Sequence, residues 1–150
     1  MANTFSSIYL HFVFSTENRL PLIPRDHESR IWNYIGGILS NHNMTGIEIG
    51  GVEDHLHALV RGLPRFSPSQ IAETMKTDSS KWIKREFDGP RLFAWQDGYS
   101  VFSVSRSQID RVSEYIRNQR TIHQSMTFEQ EYRELLDLHE IPYNEKYLFG

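Results

Sequence analysis

Apolar residues follow two rhythms along this chain. Short β-branched and aromatic runs alternate with longer segments in which apolar residues recur every three or four positions. Ser7 to Thr16 is the first short run and predicts a buried strand. Asn18 to Pro24 predicts a loop. Asp26 can cap a helix carrying Ile31, Tyr34, Ile35, Ile38 and Leu39 at helical spacing. Gly36-Gly37 lowers that helix's propensity and suggests close packing on a sheet. Thr45 to Ile49 predicts a second strand, Gly50-Gly51 a tight turn, and Glu53 to Val60 a third strand completing a hairpin. Ser67 or Ser69 starts a second helix, with Ile71, Met75, Trp82, Ile83 and Phe87 facing inward and Asp88-Gly89-Pro90 as its stop. Phe93 to Gly98 predicts an aromatic loop, and Tyr99 to Ser105 a fourth strand. A third helix begins at Ser107 or Asp110 and runs to about Gln119. Thr127-Phe128-Glu129-Gln130 has the capping-box pattern of a fourth helix, which ends before Pro142. Tyr143 to Gly150 predicts a tail.

The order β-α-β-β-α-β with appended helices predicts an α+β fold of the ferredoxin-like kind. Its antiparallel sheet would carry helices on one face and leave the other open to a strand of nucleic acid or a second subunit. One domain, residues 1–150, is expected, with an acidic helix and tail from about residue 126.

Composition narrows the chemistry. The 150 residues contain no cysteine, which excludes disulfides, Cys-ligated zinc, iron–sulfur clusters and thiol nucleophiles. The hydrophobic share of 39% fits a globular protein. Met1 to Tyr9 lacks the basic and apolar regions of a signal peptide, and no run reaches the length of a membrane span, so a cytoplasmic location is expected. The net charge of −3 is unevenly spread. From Met126 onward six acidic residues face two basic ones, whereas Pro64 to Arg120 holds ten basic against seven acidic. That leaves a locally basic surface compatible with a polyanion. Lys76, Lys81, Lys84 and Arg85 lie mostly off the apolar stripe of the second helix and are the candidates for phosphate contact.

Candidate chemistry centres on Glu53-Asp54-His55-Leu56-His57-Ala58-Leu59-Val60. In a strand alternate side chains share a face, so His55 and His57 project together while Leu56, Ala58 and Val60 point into a core. Two imidazoles side by side can chelate a divalent metal; the same pattern also fits a half-exposed strand edge. His11, inside the first strand, reads as a hydrogen-bonded sheet histidine able to approach that pair. On the third helix Tyr115 and Gln119 stand four residues apart on one face, flanking the stripe of Ile109, Val112 and Ile116.

Tyr9 to Thr16, Gly51 to His57, Trp95 to Tyr99 and Tyr115 to Gln119 occur in that order. Together they resemble the small single-strand DNA transposases of the TnpA type, in the HUH superfamily named for histidine–hydrophobic–histidine. Lys76 to Phe87 resembles the family's second helix, and Phe128 to Tyr132 its C-terminal region. The resemblance implies that His55, His57 and Gln119 hold a divalent metal ion, Mg2+ or Mn2+, and that Tyr115 is the nucleophile. It implies cleavage and rejoining of single-stranded DNA at hairpin-marked ends through a 5′-phosphotyrosine. It also implies a homodimer in which one subunit's tyrosine helix can complete its partner's site. The family often has paired histidines after the Asn-Gln; here only His123 follows, and it receives no role. Two other readings stay open at this point. One is a metal-dependent hydrolase in which Tyr115 is structural. The other is a non-catalytic nucleic-acid-binding module.

Overall fold

The computed structural model describes residues 3–87 and 92–150. The elements are β1 (Tyr9–Ser15), α1 (Glu28–Asn41), β2 (Thr45–Val52), β3 (His55–Arg61), α2 (Pro68–Glu86), β4 (Ser100–Ser103), α3 (Ile109–Arg117), α4 (Gln119–Ile122) and α5 (Phe128–Leu138). The strands form one antiparallel sheet in the order β2-β3-β1-β4, the ferredoxin-like arrangement expected from the element order. Ser67 caps α2 through reciprocal bonds with Gln70, and Thr127 caps α5 with Gln130 in the same way. Asp26 does not cap α1; it lies in a 3-10 turn, and His27 precedes the helix without a side-chain cap. The Asp88-Gly89-Pro90 stop lies outside the described residues.

Strand alternation divides the apolar residues between two faces. Phe12, Phe14, Leu56, Ala58 and Val60 point to one side and form the main core with Ile31 and Ile35 of α1 and Ile71, Met75 and Ile83 of α2. The opposite face was expected to be open, and it is not. Val13, Leu59 and Phe102 are apolar on that side as well, and burying them requires a second layer. Ile109 and Ile116 of α3 cover Leu59, while Phe128, Tyr132 and Leu136 of α5 cover Val13 and Phe102. Part of the expected tail joins this layer: Leu148 is buried, and the Gly98 amide donates to the Gly150 carbonyl at 2.8 Å.

Two glycines placed in a turn by sequence are strand residues instead. β2 continues through Gly50 and Gly51 to Val52, which pairs with His55, so Glu53-Asp54 makes the turn. Gly50 lies beneath α3, where a Cβ would stand 3.0 Å from the Ile116 carbonyl oxygen. A Cβ at Gly51 would stand 2.1 Å from the His55 carbonyl oxygen. Both positions serve close approach, of a helix in one case and of the neighbouring strand in the other. Of the Gly36-Gly37 pair, Gly36 faces the sheet opposite Gly46, whereas Gly37 has nothing near its Cβ position.

Candidate active site

Register places the histidines under the second layer. His55 is opposite Ser15 of β1, His57 opposite Val13, and His11 one step further along the same face. Both His55 and His57 are fully buried there. Their Nδ1 atoms are anchored: His55 Nδ1 to Asp54 Oδ1 at 2.7 Å, and His57 Nδ1 to His11 Nε2 at 2.8 Å. Each anchor leaves the Nε2 atom aimed at the centre of the layer. Buried metal-ligating imidazoles are oriented in this way.

Four further side chains gather at the two Nε2 atoms, Glu131 and Gln119 in direct contact with them and His123 and Tyr115 through Glu131. Glu131 Oε1 lies 3.3 Å from His55 Nε2 and 3.2 Å from His57 Nε2. Gln119 Oε1 lies 2.7 Å from His55 Nε2, while its amide nitrogen donates to Glu131 Oε2 at 2.8 Å. His123 Nε2 is 2.9 Å from Glu131 Oε1 and 3.1 Å from Gln119 Oε1. The Tyr115 hydroxyl donates to Glu131 Oε2, and its ring meets His57 edge to face with centroids 5.6 Å apart.

The helices deliver these groups by identifiable local devices. The expected single third helix breaks at Asn118 (φ −94°, ψ 15°), and α4 restarts at Gln119. Arg120, beside Gln119, donates to Glu53 at 2.6 Å and to Glu28 at 2.7 Å. It thereby ties α4 to the β2-β3 turn and to the start of α1, and Gln119 is held inward at 1% exposure.

The charges of the site are coupled. Burial opposes ionising Glu131, yet His57 and the hydrogen bonds from His123, His55 and His57 hold its carboxyl far below the usual carboxylate range. Burial likewise opposes protonating His55, but Asp54 and Glu131 together raise it to about 9. For His57 burial prevails over Glu131 and lowers its value. Burial, reinforced by His57, puts His11 well below its ordinary value. Burial and the Glu131 charge push the Tyr115 hydroxyl up. A carboxylate, two facing imidazole nitrogens and an amide oxygen form a donor set that a divalent cation can use. One ligand atom from each of His55, His57 and Glu131 lies within 4.8 Å of the other two. The chemistry of the donors therefore fits a metal.

His55, His57, Gln119 and Tyr115, all singled out by sequence, are thus brought together within one chain. Glu131 was missed as a site residue. Its signal was an acid between Phe128, Tyr132 and Leu135, on the apolar side of a capped helix. The basic residues of α2 are elsewhere, on the main-core face of the sheet. The Lys76 ammonium is engaged with the carbonyls of Asp97 and Gly98 at 2.7 and 2.9 Å. Lys81 and Lys84 line a groove of about 610 Å³ with Trp95 and Gln96. Arg85 lies in a separate depression with Tyr34 and Trp82.

The fold and the sequence of the chain both have counterparts among known proteins. Its fold is similar to that of a Deinococcus radiodurans R1 protein assigned as a transposase, at TM-score 0.64 and 17% identity, covering 79% of this chain and 95% of that one. It is also similar to a REP-associated tyrosine transposase bound to a REP hairpin, at TM-score 0.60 and 11% identity, covering 82% of this chain and 72% of that one. No curated protein matches the sequence. The sequence model of the family described as "Transposase IS200 like" matches residues 4–119. The chain belongs to the IS200-like transposase family, and DNA transposition is the function that membership carries. Among the described residues no helix is long and apolar enough to cross a membrane.

Proposed function

We propose that this transposase cuts and rejoins single-stranded DNA at hairpin-marked ends, with Tyr115 as nucleophile. The observation that carries the reading is the hydrogen bond from the Tyr115 hydroxyl to the carboxylate that faces both strand histidines. That contact sets the tyrosine hydroxyl at the edge of the metal-competent cluster, which is where a nucleophile would stand. A structural tyrosine in a hydrolase would need no such placement.

In this reading His55, His57 and Glu131 hold the divalent ion, with Gln119 Oε1 as a further donor. A bound Mg2+ or Mn2+ supplies Lewis-acid polarisation of the scissile phosphate. Mixed imidazole and oxygen donors suit either ion. Asp54 and His11 keep the two imidazoles in their tautomers and orientations. The Tyr115 oxygen forms a bond to phosphorus as the bond from phosphorus to the 3′-oxygen breaks. The tyrosine proton leaves through the carboxylate it already faces, and the departing 3′-oxygen becomes a hydroxyl. The phosphotyrosine keeps the phosphodiester bond energy, so rejoining requires no nucleotide cofactor. Lys81 and Lys84 face the groove beside Trp95 and are the basic residues left to contact the phosphates of a hairpin stem; Lys76 lines the same groove with its ammonium on two carbonyls, and Arg85 lies outside it.

The unit of cleavage is read as a single chain. Tyr115 meets its own chain's histidines, so a homodimer is not needed to complete the site. Incubation with manganese and single-stranded hairpin oligonucleotides is the direct test. An SDS-stable protein–DNA species that His55→Ala abolishes supports the reading. Hydrolytic cleavage without any covalent species overturns it in favour of the hydrolase.

A further inference from the structure

A second cavity adjoins the candidate active site without belonging to the metal cluster. It is a cleft of about 370 Å³ between α3 and α5, with β4 and β1 as its floor and Tyr115 on its wall. That size suits one small ring system. Its sides are apolar, built by Val112 of α3 and by Leu135 and Leu138 of α5. Leu138 is 75% exposed, a large apolar side chain left uncovered at the rim. Phe102 lies in the floor with the His139 ring stacked on it at 4.2 Å between centroids.

The lining also carries the neutral polar side chains of Ser103, Ser105 and Gln108. His11 also lines the cleft; it is 95% buried and spends Nε2 on His57. Its Nδ1 has no hydrogen-bond partner among the described residues. No buried side-chain nitrogen or oxygen in them lacks a partner, so Nδ1 is reachable by a ligand. His57 Nε2 in turn lies 3.2 Å from Glu131 Oε1, so both ring nitrogens of His57 are engaged. That leaves His11 Nδ1 as one hydrogen-bonding atom at the cleft. Arg111 stands in the lining as its fixed positive charge, and none of the lining residues is a carboxylate.

We propose that this cleft holds the nucleobase of a nucleotide next to the scissile phosphate, with His11 Nδ1 hydrogen-bonded to an edge atom of the base and Arg111 facing the adjoining phosphate. The proposal rests on Tyr115 attacking a single strand. The nucleotide joined to the attacked phosphate must then lie beside Tyr115, where this cleft opens. Bases of a single strand expose unstacked π-faces, and aromatic and apolar walls are the surfaces that take them.

Binding of tetranucleotides, read by NMR on the full chain carrying Tyr115→Phe, tests the proposal without calling on cleavage. The probes are dA4, dC4, dG4, dT4 and a tetramer of abasic sugar phosphates. At least one base-bearing probe is expected to shift the methyl signals of Val112 and Leu138 and the imidazole signals of His11, with the abasic tetramer leaving them in place. Leu138→Asp, at an exposed position outside the core, is expected to weaken binding of that probe about tenfold. Shifts absent for all four probes, equal shifts with the abasic tetramer, or undiminished binding by the Leu138 variant would each overturn it. Because no covalent species is read, failure of the phosphotyrosine mechanism and failure of the cleft give different results.

Discussion

Tyr115 and Glu131, 16 residues apart and on different helices, share a hydrogen bond in a buried layer of the sheet. The same carboxylate faces the Nε2 atoms of His55, His57 and His123. Glu131 therefore joins the nucleophile to the metal-competent cluster, and its removal should be felt at both. Glu131→Gln keeps the side-chain volume and removes the charge. The expected outcome is a fall in Mn2+ affinity by at least the ~10-fold that loss of even an outer metal partner costs. Calorimetric titration measures it, with circular dichroism showing a retained fold. Undiminished affinity would remove Glu131 from the ligand set.

Metal should also stabilise the folded chain. A ligand that binds only the native state at a hundred times its Kd adds about 2.7 kcal/mol. Wild-type protein is expected to show that increment in urea denaturation with Mn2+, reversed by a chelator. His57→Ala should show no increment. An equal gain in both proteins would mean that the ion binds elsewhere.

The contacts within one chain predict how mixed variants behave. If Tyr115 serves its own histidines, equimolar His55→Ala and Tyr115→Phe proteins stay inactive together. Appearance of covalent adduct in the mixture would instead show exchange of tyrosine helices between copies.

Gly50 tests the seat of the tyrosine helix. A Cβ there meets the Ile116 carbonyl at 3.0 Å, one residue beyond Tyr115, and backbone cannot move aside cheaply. Gly50→Ala is expected to cost ~1–3 kcal/mol of stability, in the range of other overpacked sites, and to lower adduct yield. Gly37→Ala is the contrasting control. With nothing within 4 Å of its Cβ position, it should gain ~0.5–1 kcal/mol from the lower entropy of the unfolded chain. Equal effects from the two substitutions would dissociate Gly50 from the packing of α3.

The alternation of Tyr9 to Thr16 and of His55 to Val60 made the sheet and the histidine pair legible, because a strand's period of two assigns faces directly. The capping residues Ser67 and Thr127 were legible for a similar local reason. What local pattern could not give was the partner of each face. Val13 and Leu59 could be recognised as apolar on the histidine side only once the register was known, and they are what draws α3 and α5 over the site. Gly50-Gly51 misled because glycine marks both turns and close approaches, and the neighbour that decides between them, Ile116, is distant in sequence. Glu131 was hidden in the same way. An acid on an apolar helix face signals function only when the imidazoles that neutralise it are in view.

The central claim is that Tyr115 becomes joined to a 5′-phosphate. The most direct measurement uses a single-stranded hairpin oligonucleotide carrying different labels at its two ends, incubated with the protein and Mn2+, followed by peptide mass mapping of the SDS-stable product. The expected product carries the 3′-end label and a phosphodinucleotide remnant on Tyr115, and it is absent from Tyr115→Phe. Retention of the 5′-end label, attachment at another residue, or an undiminished product with the Phe variant would contradict the account.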